Sequence, residues 1–295
     1  MPPIKARFIH ADATRLPLAD DSVHLVVTSP PYMDARTYGI DAHRGCEEWI
    51  DWMLQVVREL RRVCTGAVVV NCAGVTRNRC YWPGPEGLLY RAWREGIECY
   101  RPCYWHRVGI PGSGGTDWYR ADVEYVLCFK RPGALPHANP KANGHKPRFG
   151  PGGAMSHRLD DGSRVRKRVN RTDRYSTGER AIRGDEVQLY RPPAIANPGN
   201  LLHIKVGGGL MGHPLAHENE APFPQKLPEF FIRSHSRPGD TVLDPFSGSG
   251  TTVAAAVALG RNGIGCDLRM SQCELGRRRV DGVQVELFAA AGGGT

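Results

Sequence analysis

The sequence predicts a doubly wound α/β protein built on a mostly parallel sheet. Short apolar runs alternate with stretches of helical periodicity from Phe8 to Lys130. Residues 241–259 then form the order strand, tight glycine turn and helix, and a second strand and helix follow directly. Strands separated by helices favour parallel pairing, because each return crossing needs a connecting helix.

In the first half, the helical stretch CEEWIDWMLQVVRELRRV carries apolar residues at i, i+3 and i+4 spacing (Trp49, Met53, Val56, Val57 and Leu60), and PEGLLYRAWREG predicts a second helix. The predicted strands are RFIHADA, HLVVTS, GAVVVNC and DVEYVLCFKRPG, the last ending at Pro132. In the second half, LLHIKVG, DTVLD and RNGIGCDL predict strands, whereas QKLPEFFIRSHS, the Ala-rich run Thr251–Leu259 and MSQCELGRRRV predict helices.

Between these halves the apolar pattern collapses into Gly, Pro, Asn, Ser and Arg. We therefore expect three parts: residues 1–130, a loop-rich insert over 131–200, and residues 201–295. The net charge is +9, and the stretch Arg131–Arg191 holds fourteen Lys/Arg against six Asp/Glu, a local balance of +8. Such a patch is either a solvated surface or, as we favour, a site for phosphates.

The composition argues against two classes of protein. No apolar run approaches the ~20 residues of a membrane span, and the N-terminus lacks the apolar core of a signal peptide. We expect a cytoplasmic protein without a membrane partner. The nine cysteines are odd in number and form no C-x-x-C pair, which predicts reduced core thiols and no metal site.

The turn DPFSGSG predicts a nucleotide site. Gly248 and Gly250 let a ligand approach the backbone at a helix N-terminus. The complete G-x-G-x-x-G fingerprint and the phosphate-binding lysine are absent. Instead, Asp244 would repel a pyrophosphate but attract a cationic amino group, and Asp267 in GIGCDL can accept hydrogen bonds from ribose hydroxyls. S-adenosylmethionine fits this pair better than NAD or ATP.

Together these motifs resemble the β class of amino-group DNA methyltransferases, in which the catalytic motif precedes the cofactor motif. TSPPY resembles the catalytic motif, DPFSGSGTT the methionine-binding turn, GIGCDL the ribose acid, HADA the adenine-side carboxylate, and HENEAPFPQKLPEFFI the segment closing over the methionine end. The resemblance implies a circularly permuted, seven-stranded sheet of the S-adenosylmethionine methyltransferase type with one antiparallel edge strand. It also implies duplex DNA as substrate, S-adenosylhomocysteine as product, and target recognition by the insert.

The cofactor-binding candidates are Asp12, Ala13, Asp244, Pro245, Phe246, Gly248, Gly250, Thr251, Thr252, Asp267 and Leu268; the DNA-binding candidates are Arg36, Arg164, Arg166, Lys167, Arg168 and Arg171. The catalytic candidates are Ser29, Pro30, Pro31 and Tyr32. Methyl transfer to an exocyclic amine is a direct displacement, for which the amine must be held in line with the sulfonium. Ser29 Oγ and the Pro30 carbonyl are suitable acceptors for its hydrogens, and prolines fix the turn. Tyr32 offers a face on which a flipped base can stack.

Ser29 also bears on the choice of base. In the resemblance, S-P-P-Y favours cytosine N4, whereas D-P-P-Y and N-P-P-Y favour adenine N6. A hydroxyl can accept from the amine and also donate toward ring nitrogen N3. Adenine N6, an RNA or protein-glutamine substrate, and a DNA-binding protein without catalysis stay open as alternatives. A cognate restriction endonuclease, the recognition sequence, and the choice between monomer and homodimer are also open.

Three other motifs carry weaker signals. The Pro102–Cys103 pair resembles the nucleophile of C5-cytosine enzymes, but a core cysteine is the favoured interpretation. HPLAH has i, i+4 histidines with a proline between them, which argues against a helical metal pair. Trp105, His106 and Arg107 are candidates for the rim of the base pocket, and Asp34 lies with Arg36 in a loop predicted to cover the site.

Overall fold

The computed structural model describes residues 4–33, 44–108, 119–148, 152–154, 156–166, 168–171, 182–187, 189–206, 214–218 and 223–292. The chain divides into two compact units, one formed by 1–142 with 199–295 and the other by 143–198. No helix within the described ranges is both long and apolar enough to cross a bilayer.

The strands are β1 (Ala6–His10), β2 (Leu25–Thr28), β3 (Val68–Cys72), β4 (Val75–Arg77), β5 (Cys80–Trp82), β6 (Glu98–Cys99), β7 (Cys103–Val108), β8 (Val123–Lys130), β9 (Gly152–Ala154), β10 (Ser156–Arg158), β11 (Arg164–Arg166), β12 (Arg168–Arg171), β13 (Ile182–Val187), β14 (Leu189–Tyr190), β15 (Leu201–Lys205), β16 (Thr241–Asp244) and β17 (Asn262–Asp267). The helices are α1 (Cys46–Val63), α2 (Gly84–Arg94), α3 (Lys226–His235), α4 (Thr251–Ala258) and α5 (Met270–Gly292), with short 3-10 helices at Pro140–Asn143 and Pro214–Glu218.

The first unit contains a nine-stranded sheet in the order β1-β17-β16-β2-β3-β8-β7-β15, with β6 paired to β8. Strands β1, β17, β16, β2 and β3 are mutually parallel, and β7 and β15 run the same way because β8 is antiparallel to both β3 and β7. The carboxyl ends of these seven strands therefore share one side of the sheet, called here the carboxyl edge. Ligands of open α/β sheets bind at this edge.

The predicted doubly wound, mostly parallel sheet is confirmed, but two details of it are wrong. The sheet has nine strands instead of seven, because β6 and β7 join it. The sequence of β7, CYWHRV, lacks the apolar run of a buried strand, which is why its pattern is weak. The antiparallel strand β8 is also internal rather than at the edge, since β7 and β15 continue the sheet beyond it.

Helices cover both faces of the sheet. On β2, Val26 points into a cluster with α1 and α2, whereas Leu25 and Val27 point into a cluster with α3 and α4. This alternation follows from the two-residue period of a strand. Phe8 packs against α4 and α5 in a third cluster. The sheet is thus buried on both sides, which is why its central strands are continuous apolar runs.

Helix α1 follows the predicted pattern. Its apolar face is buried at Trp49, Ile50, Met53, Leu54, Val56, Val57, Leu60 and Val63. Glu47 and Glu48 lie in the first turn and Arg61 and Arg62 in the last, the charge order that the helix dipole favours. The second unit is built differently: its described residues form antiparallel pairs of short strands, β9 with β14, β10 with β11, and β12 with β13.

Candidate active site

The TSPPY segment leaves the sheet at the carboxyl edge, directly after β2. Thr28 is buried, and its hydroxyl donates a 2.6 Å hydrogen bond to Asp244 Oδ1 at the end of the neighbouring strand β16. The Pro31 carbonyl accepts a 2.8 Å hydrogen bond from Trp49 Nε1 on α1. Pro30 is buried, whereas Ser29 is only half-buried. The turn is therefore fixed from both sides, with Ser29 left within reach of solvent.

A polar network lies behind Ser29. Tyr32 Oη donates to Glu124 Oε2 at 2.6 Å and lies 3.3 Å from Ser29 Oγ. Asn71 Nδ2 donates to both Tyr32 Oη and Glu124 Oε2, at 2.8 Å each. The other oxygen of Glu124 lies 3.1 Å from Arg107 Nη1. The segment after β2 and strands β3, β7 and β8 thus all supply polar groups to one point of the carboxyl edge.

The hydroxyl of Tyr32 is held as a neutral donor. Burial, together with the charge of Glu124 and the hydrogen bond to it, raises the pKa of Tyr32 well above its ordinary value. The ring itself is half-buried and packs beside the α1 cluster. A tyrosine so held can present a fixed aromatic face without losing its proton.

Sequence reasoning missed Asn71 and Glu124 as parts of this site. Both lie within predicted strands, but no local motif singles them out. They interrupt apolar strands, yet they are 4% and 5% exposed, respectively. Buried polar groups at the end of a strand need partners, and this was the signal that could have found them.

The glycine turn joins β16 to α4. Gly250 is the N-cap of α4 with φ 76° and ψ 26°, and Gly248 has φ 46°, so both lie in the left-handed region that favours glycine. The backbone N–H of Gly248 donates to Asp267 Oδ2 at 3.0 Å, and that of Ser247 donates to the Cys266 carbonyl at 2.8 Å. These bonds tie the turn to the end of β17.

Asp244 has the properties expected of a ligand for an ammonium group. It is 1% exposed, and its Oδ1 accepts hydrogen bonds from Thr28 and from the backbone of Phe246. Its Oδ2 is buried without a hydrogen-bond partner in the described part of the chain. Burial raises the pKa of Asp244 to about 6, against the opposing effect of the hydrogen bond from Thr28. A buried carboxylate oxygen in this state fits the cationic amino group of a bound cofactor.

The residues predicted to bind the adenosine part of the cofactor lie at the ends of the adjacent strands β1 and β17. His10 on β1 is in register with Asp267 on β17, so the residues that follow them, Asp12 and Leu268, come to the same edge. Asp12 Oδ1 accepts from the backbone and hydroxyl of Thr14, at 2.8 Å each. Ala13 is buried beside it, and Leu268 is 48% exposed.

Asp267 is almost wholly buried, and backbone N–H groups hold both of its carboxylate oxygens. Its Oδ1 accepts from the Arg269 N–H at 2.9 Å, and its Oδ2 accepts from Gly248. A carboxylate oxygen has a second lone pair, so each can still accept from a ligand hydroxyl. The arrangement fits the ribose role predicted for this residue.

The remaining residues of the turn connect it to helix α1 and strand β2. Pro245, Thr251 and Thr252 are buried, and Phe246 packs edge-on against Trp52 of α1, with ring centroids 5.5 Å apart. Thr252 donates to the Val27 carbonyl at 3.2 Å. The glycine turn and the TSPPY segment are thus part of one hydrogen-bonded structure.

An arginine that sequence reasoning missed lies beneath the turn. Arg279 of α5 is fully buried, and its Nη1 donates to Thr251 Oγ1 at 2.7 Å and to Ser249 Oγ at 3.4 Å. Its Nη2 lies 3.4 Å from Gln225 Oε1, just before α3. Desolvation lowers the pKa of Arg279 to about 10. It sits in the charge run GRRRV, where position alone does not separate it from its exposed neighbours.

Cys103 is half-buried and packs against the core cluster that contains α3 and α4. It begins β7 and so lies at the opposite end of that strand from the carboxyl edge. Burial raises the pKa of its thiol, which opposes formation of the thiolate that a C5-cytosine nucleophile requires. Trp105 is buried and donates to the Ile204 carbonyl, while His106 Nδ1 lies 2.8 Å from His203 Nδ1.

The structure describes only some of the residues that were predicted to contact DNA. Arg164 and Arg166 are exposed on β11, and Arg168 and Arg171 lie on β12, whose side chains are not described. Arg36, Asp34, Lys167 and the HPLAH residue His213 lie outside the described residues. In the segment HENEAPFPQKLPEFFI, residues 219–222 are also outside them.

Comparison with known proteins shows the family to which the chain belongs. The model of the DNA methylase family that covers N6 and N4 amino methyltransferases matches residues 23–278. This chain belongs to that family. It is therefore an S-adenosylmethionine-dependent DNA methyltransferase acting at specific sites, as its motifs predicted.

Individual relatives extend the match over most of the chain. The Type II methyltransferase M1.MboII of Moraxella bovis is 57% identical over 261 residues, covering 84% of this chain and 85% of that protein. Two solved structures share the fold. The PvuII DNA methyltransferase (cytosine-N4-specific) has a TM-score of 0.65 at 20% identity, covering 94% of this chain and 86% of that one. TTHA0409 of Thermus thermophilus, a putative DNA modification methylase complexed with S-adenosylmethionine, has a TM-score of 0.57 at 24% identity, covering 94% of each chain.

Proposed function

We propose that this methyltransferase acts on the exocyclic N4 amine of cytosine in duplex DNA, with the target base flipped out of the helix. The observation that carries the proposal is the hydroxyl of Ser29 at the head of SPPY, beside the hydroxyl of Tyr32. A serine hydroxyl is neutral, so it accepts hydrogen bonds from an amine without placing a negative charge next to the base.

S-adenosylmethionine, when bound, supplies the electrophilic methyl group, and Asp244, Gly248 and Asp267 are the residues that would hold it. The 2.6 Å bond between Thr28 and Asp244 supports this division of roles, because it joins the residue before Ser29 to the cofactor turn. Ser29 Oγ and the Pro30 carbonyl accept the amine hydrogens and draw them out of the ring plane. Tyr32 stacks against the base, which offsets the few kcal/mol that flipping costs.

The second unit, residues 143–198, is the proposed target-recognition module, and it falls within the insert predicted over residues 131–200. Its exposed Arg164 and Arg166 are suited to backbone phosphates, which fix register without reading sequence. The Type II name of M1.MboII extends the proposal to a cognate restriction endonuclease as partner. A cytoplasmic location follows from DNA as the substrate.

Adenine N6 is the second candidate, because the matched family covers both amines. Single-molecule sequencing of genomic DNA from a methylation-deficient host expressing the chain separates the two. We expect N4-methylcytosine at one sequence context. N6-methyladenine at a defined context would replace the proposed base, and unmodified DNA despite soluble protein would remove the proposal.

A further inference from the structure

The hydrogen bonds behind Ser29 have a direction, and Glu124 sets it. Glu124 is 5% exposed, and one of its oxygens faces the Arg107 guanidinium at 3.1 Å. Its other oxygen receives Tyr32 Oη at 2.6 Å and Asn71 Nδ2 at 2.8 Å. A carboxylate beside a guanidinium only accepts, so both neighbours must donate to it. The same requirement fixes the orientation of the Asn71 amide.

Tyr32 has a single hydroxyl proton. Because that proton goes to Glu124, Tyr32 Oη can only accept from its other neighbours. Asn71 Nδ2 is one donor, at 2.8 Å. Tyr32 Oη also lies 3.3 Å from Ser29 Oγ, and in that contact Ser29 must be the donor.

Ser29 likewise has a single proton. Once that proton points to Tyr32, Ser29 Oγ can offer the substrate only its lone pairs. An acceptor-only oxygen matches an amine hydrogen, whereas donation toward ring nitrogen N3 would require the same proton twice. The sequence alone allowed both uses of this hydroxyl.

We propose that Glu124 is a positioning residue which, acting through Tyr32, orients the Ser29 hydroxyl so that it accepts from the substrate amine. The inference rests on the proposed function, since it assumes that Ser29 meets the amine. Glu124 itself acts through Tyr32 and need not touch the base.

A purely structural role for Glu124 is the competing explanation, because a buried ion pair with Arg107 also stabilises the fold when complete. The two explanations differ in what happens once Tyr32 loses its hydroxyl. Tyr32→Phe keeps the aromatic face but cuts the link between Glu124 and Ser29. If Glu124 acts only through that link, Glu124→Gln should then have no additional effect on the chemical step.

The experiment is a double-mutant cycle read by single-turnover methylation of duplex DNA, with KM for S-adenosylmethionine measured in parallel. Glu124→Gln should lower the single-turnover rate by about tenfold, the equivalent of one hydrogen bond, with KM for the cofactor changed less than twofold. Glu124→Gln/Tyr32→Phe should react as fast as Tyr32→Phe alone. Rate losses that multiply in the double variant would overturn the proposal.

Glu98→Gln is the matched control. Glu98 lies on β6 and pairs with Lys130, which is at the opposite end of β8 from Glu124. The Glu98→Gln variant should leave the single-turnover rate unchanged. If Glu124→Gln does not fold, the cycle is run in an Arg107→Met background, which removes the stranded cation. A wild-type protein that methylates no DNA base would defeat the proposed function, whereas an active wild type with multiplying defects would defeat only the role of Glu124.

Discussion

At the scale of single residues, Asp244 combines full burial with a carboxylate oxygen that has no partner in the described chain. Its pKa of about 6 means that the folded, cofactor-free protein holds this proton more tightly than the unfolded chain does. The stabilising contribution of the group is therefore complete below its unfolded pKa of about 4 and is lost as the pH rises through 6.

We expect Asp244→Asn to raise the free energy of unfolding of the cofactor-free protein by about 2 kcal/mol at pH 8, because the amide removes a buried charge. The gain should shrink as the pH falls toward 4. Urea unfolding at several pH values measures it, with the exposed Asp281→Asn as control. A destabilised Asp244→Asn variant at pH 8 would contradict the account.

The same variant should bind S-adenosylmethionine weakly. In the wild type, the affinity should fall by up to about tenfold per pH unit below 6, since the ammonium must displace the proton of Asp244. Calorimetric titration between pH 5 and 8 measures both effects. An Asp244→Asn variant that retains wild-type affinity and its pH dependence would remove Asp244 from the cofactor site.

At this scale, the sequence predicted the residues whose chemistry is written in a local motif, and it missed those whose role arises from contacts. Ser29, Asp244 and Gly250 stand in short patterns that determine their surroundings. Glu124 meets Tyr32 across 92 positions of the chain, a separation that no local pattern encodes. Arg279 could not be told from Arg278 without knowing which side of α5 is buried.

At the scale of elements, the β16–α4 connection depends on Gly250 for two reasons. Its φ is 76°, and a Cβ there would lie 3.0 Å from Gly276 Cα and from the Phe8 ring. Gly260, at the other end of α4, has φ 75°, but a Cβ added there would meet nothing within 4 Å in the described part of the chain. The two glycines share a backbone conformation and differ in the room that each leaves for a side chain.

We expect Gly260→Ala to lower the free energy of unfolding by about 1 kcal/mol, the cost of the left-handed conformation alone. Gly250→Ala should lose about 1–3 kcal/mol more, because α5 and Phe8 must move. Chemical denaturation compares them directly. Equal losses would show that the close approach of α4 and α5 is not what requires glycine at position 250.

Helix α5 supports the glycine turn through Arg279. Arg279→Met should weaken S-adenosylmethionine binding by about tenfold, because Thr251 and Ser249 each lose a donor. The adjacent Arg278→Met is the control, since the Arg278 side chain is 63% exposed and its ion pair with Glu218 spans 3.9 Å. Equal affinities of the two variants, measured by calorimetry, would contradict this role.

Strong periodicity made most elements of the sheet predictable, and its absence explains the errors. Helix α1 and strand β3 are evident in the sequence because one whole face or the whole strand is apolar. Strand β7 escaped prediction because two polar residues occupy its carboxyl end, His106 beside His203 and Arg107 beside Glu124. The position of β8 inside the sheet depends on β7 pairing beyond it, so the second error follows from the first.

At the scale of the whole molecule, most of the excess positive charge lies between Arg131 and Arg191, and this has a consequence for DNA binding. Replacing Arg164 and Arg166 by Glu should weaken duplex binding and flatten its dependence on salt, because fewer counterions are released. Cofactor affinity should not change. Fluorescence anisotropy from about 50 to 200 mM salt measures this, with Arg94→Gln on the exposed surface of α2 as control; an unchanged slope would place DNA elsewhere.

The central claim is that Ser29 directs methyl transfer to the N4 amine of cytosine, and nucleoside mass spectrometry tests it most directly. Purified protein, duplex DNA and S-adenosylmethionine with a deuterated methyl group should yield labelled N4-methylcytosine. The Ser29→Ala variant should bind the cofactor normally and yield little of this product. Labelled N6-methyladenine in its place, or an undiminished yield from Ser29→Ala, would contradict the account.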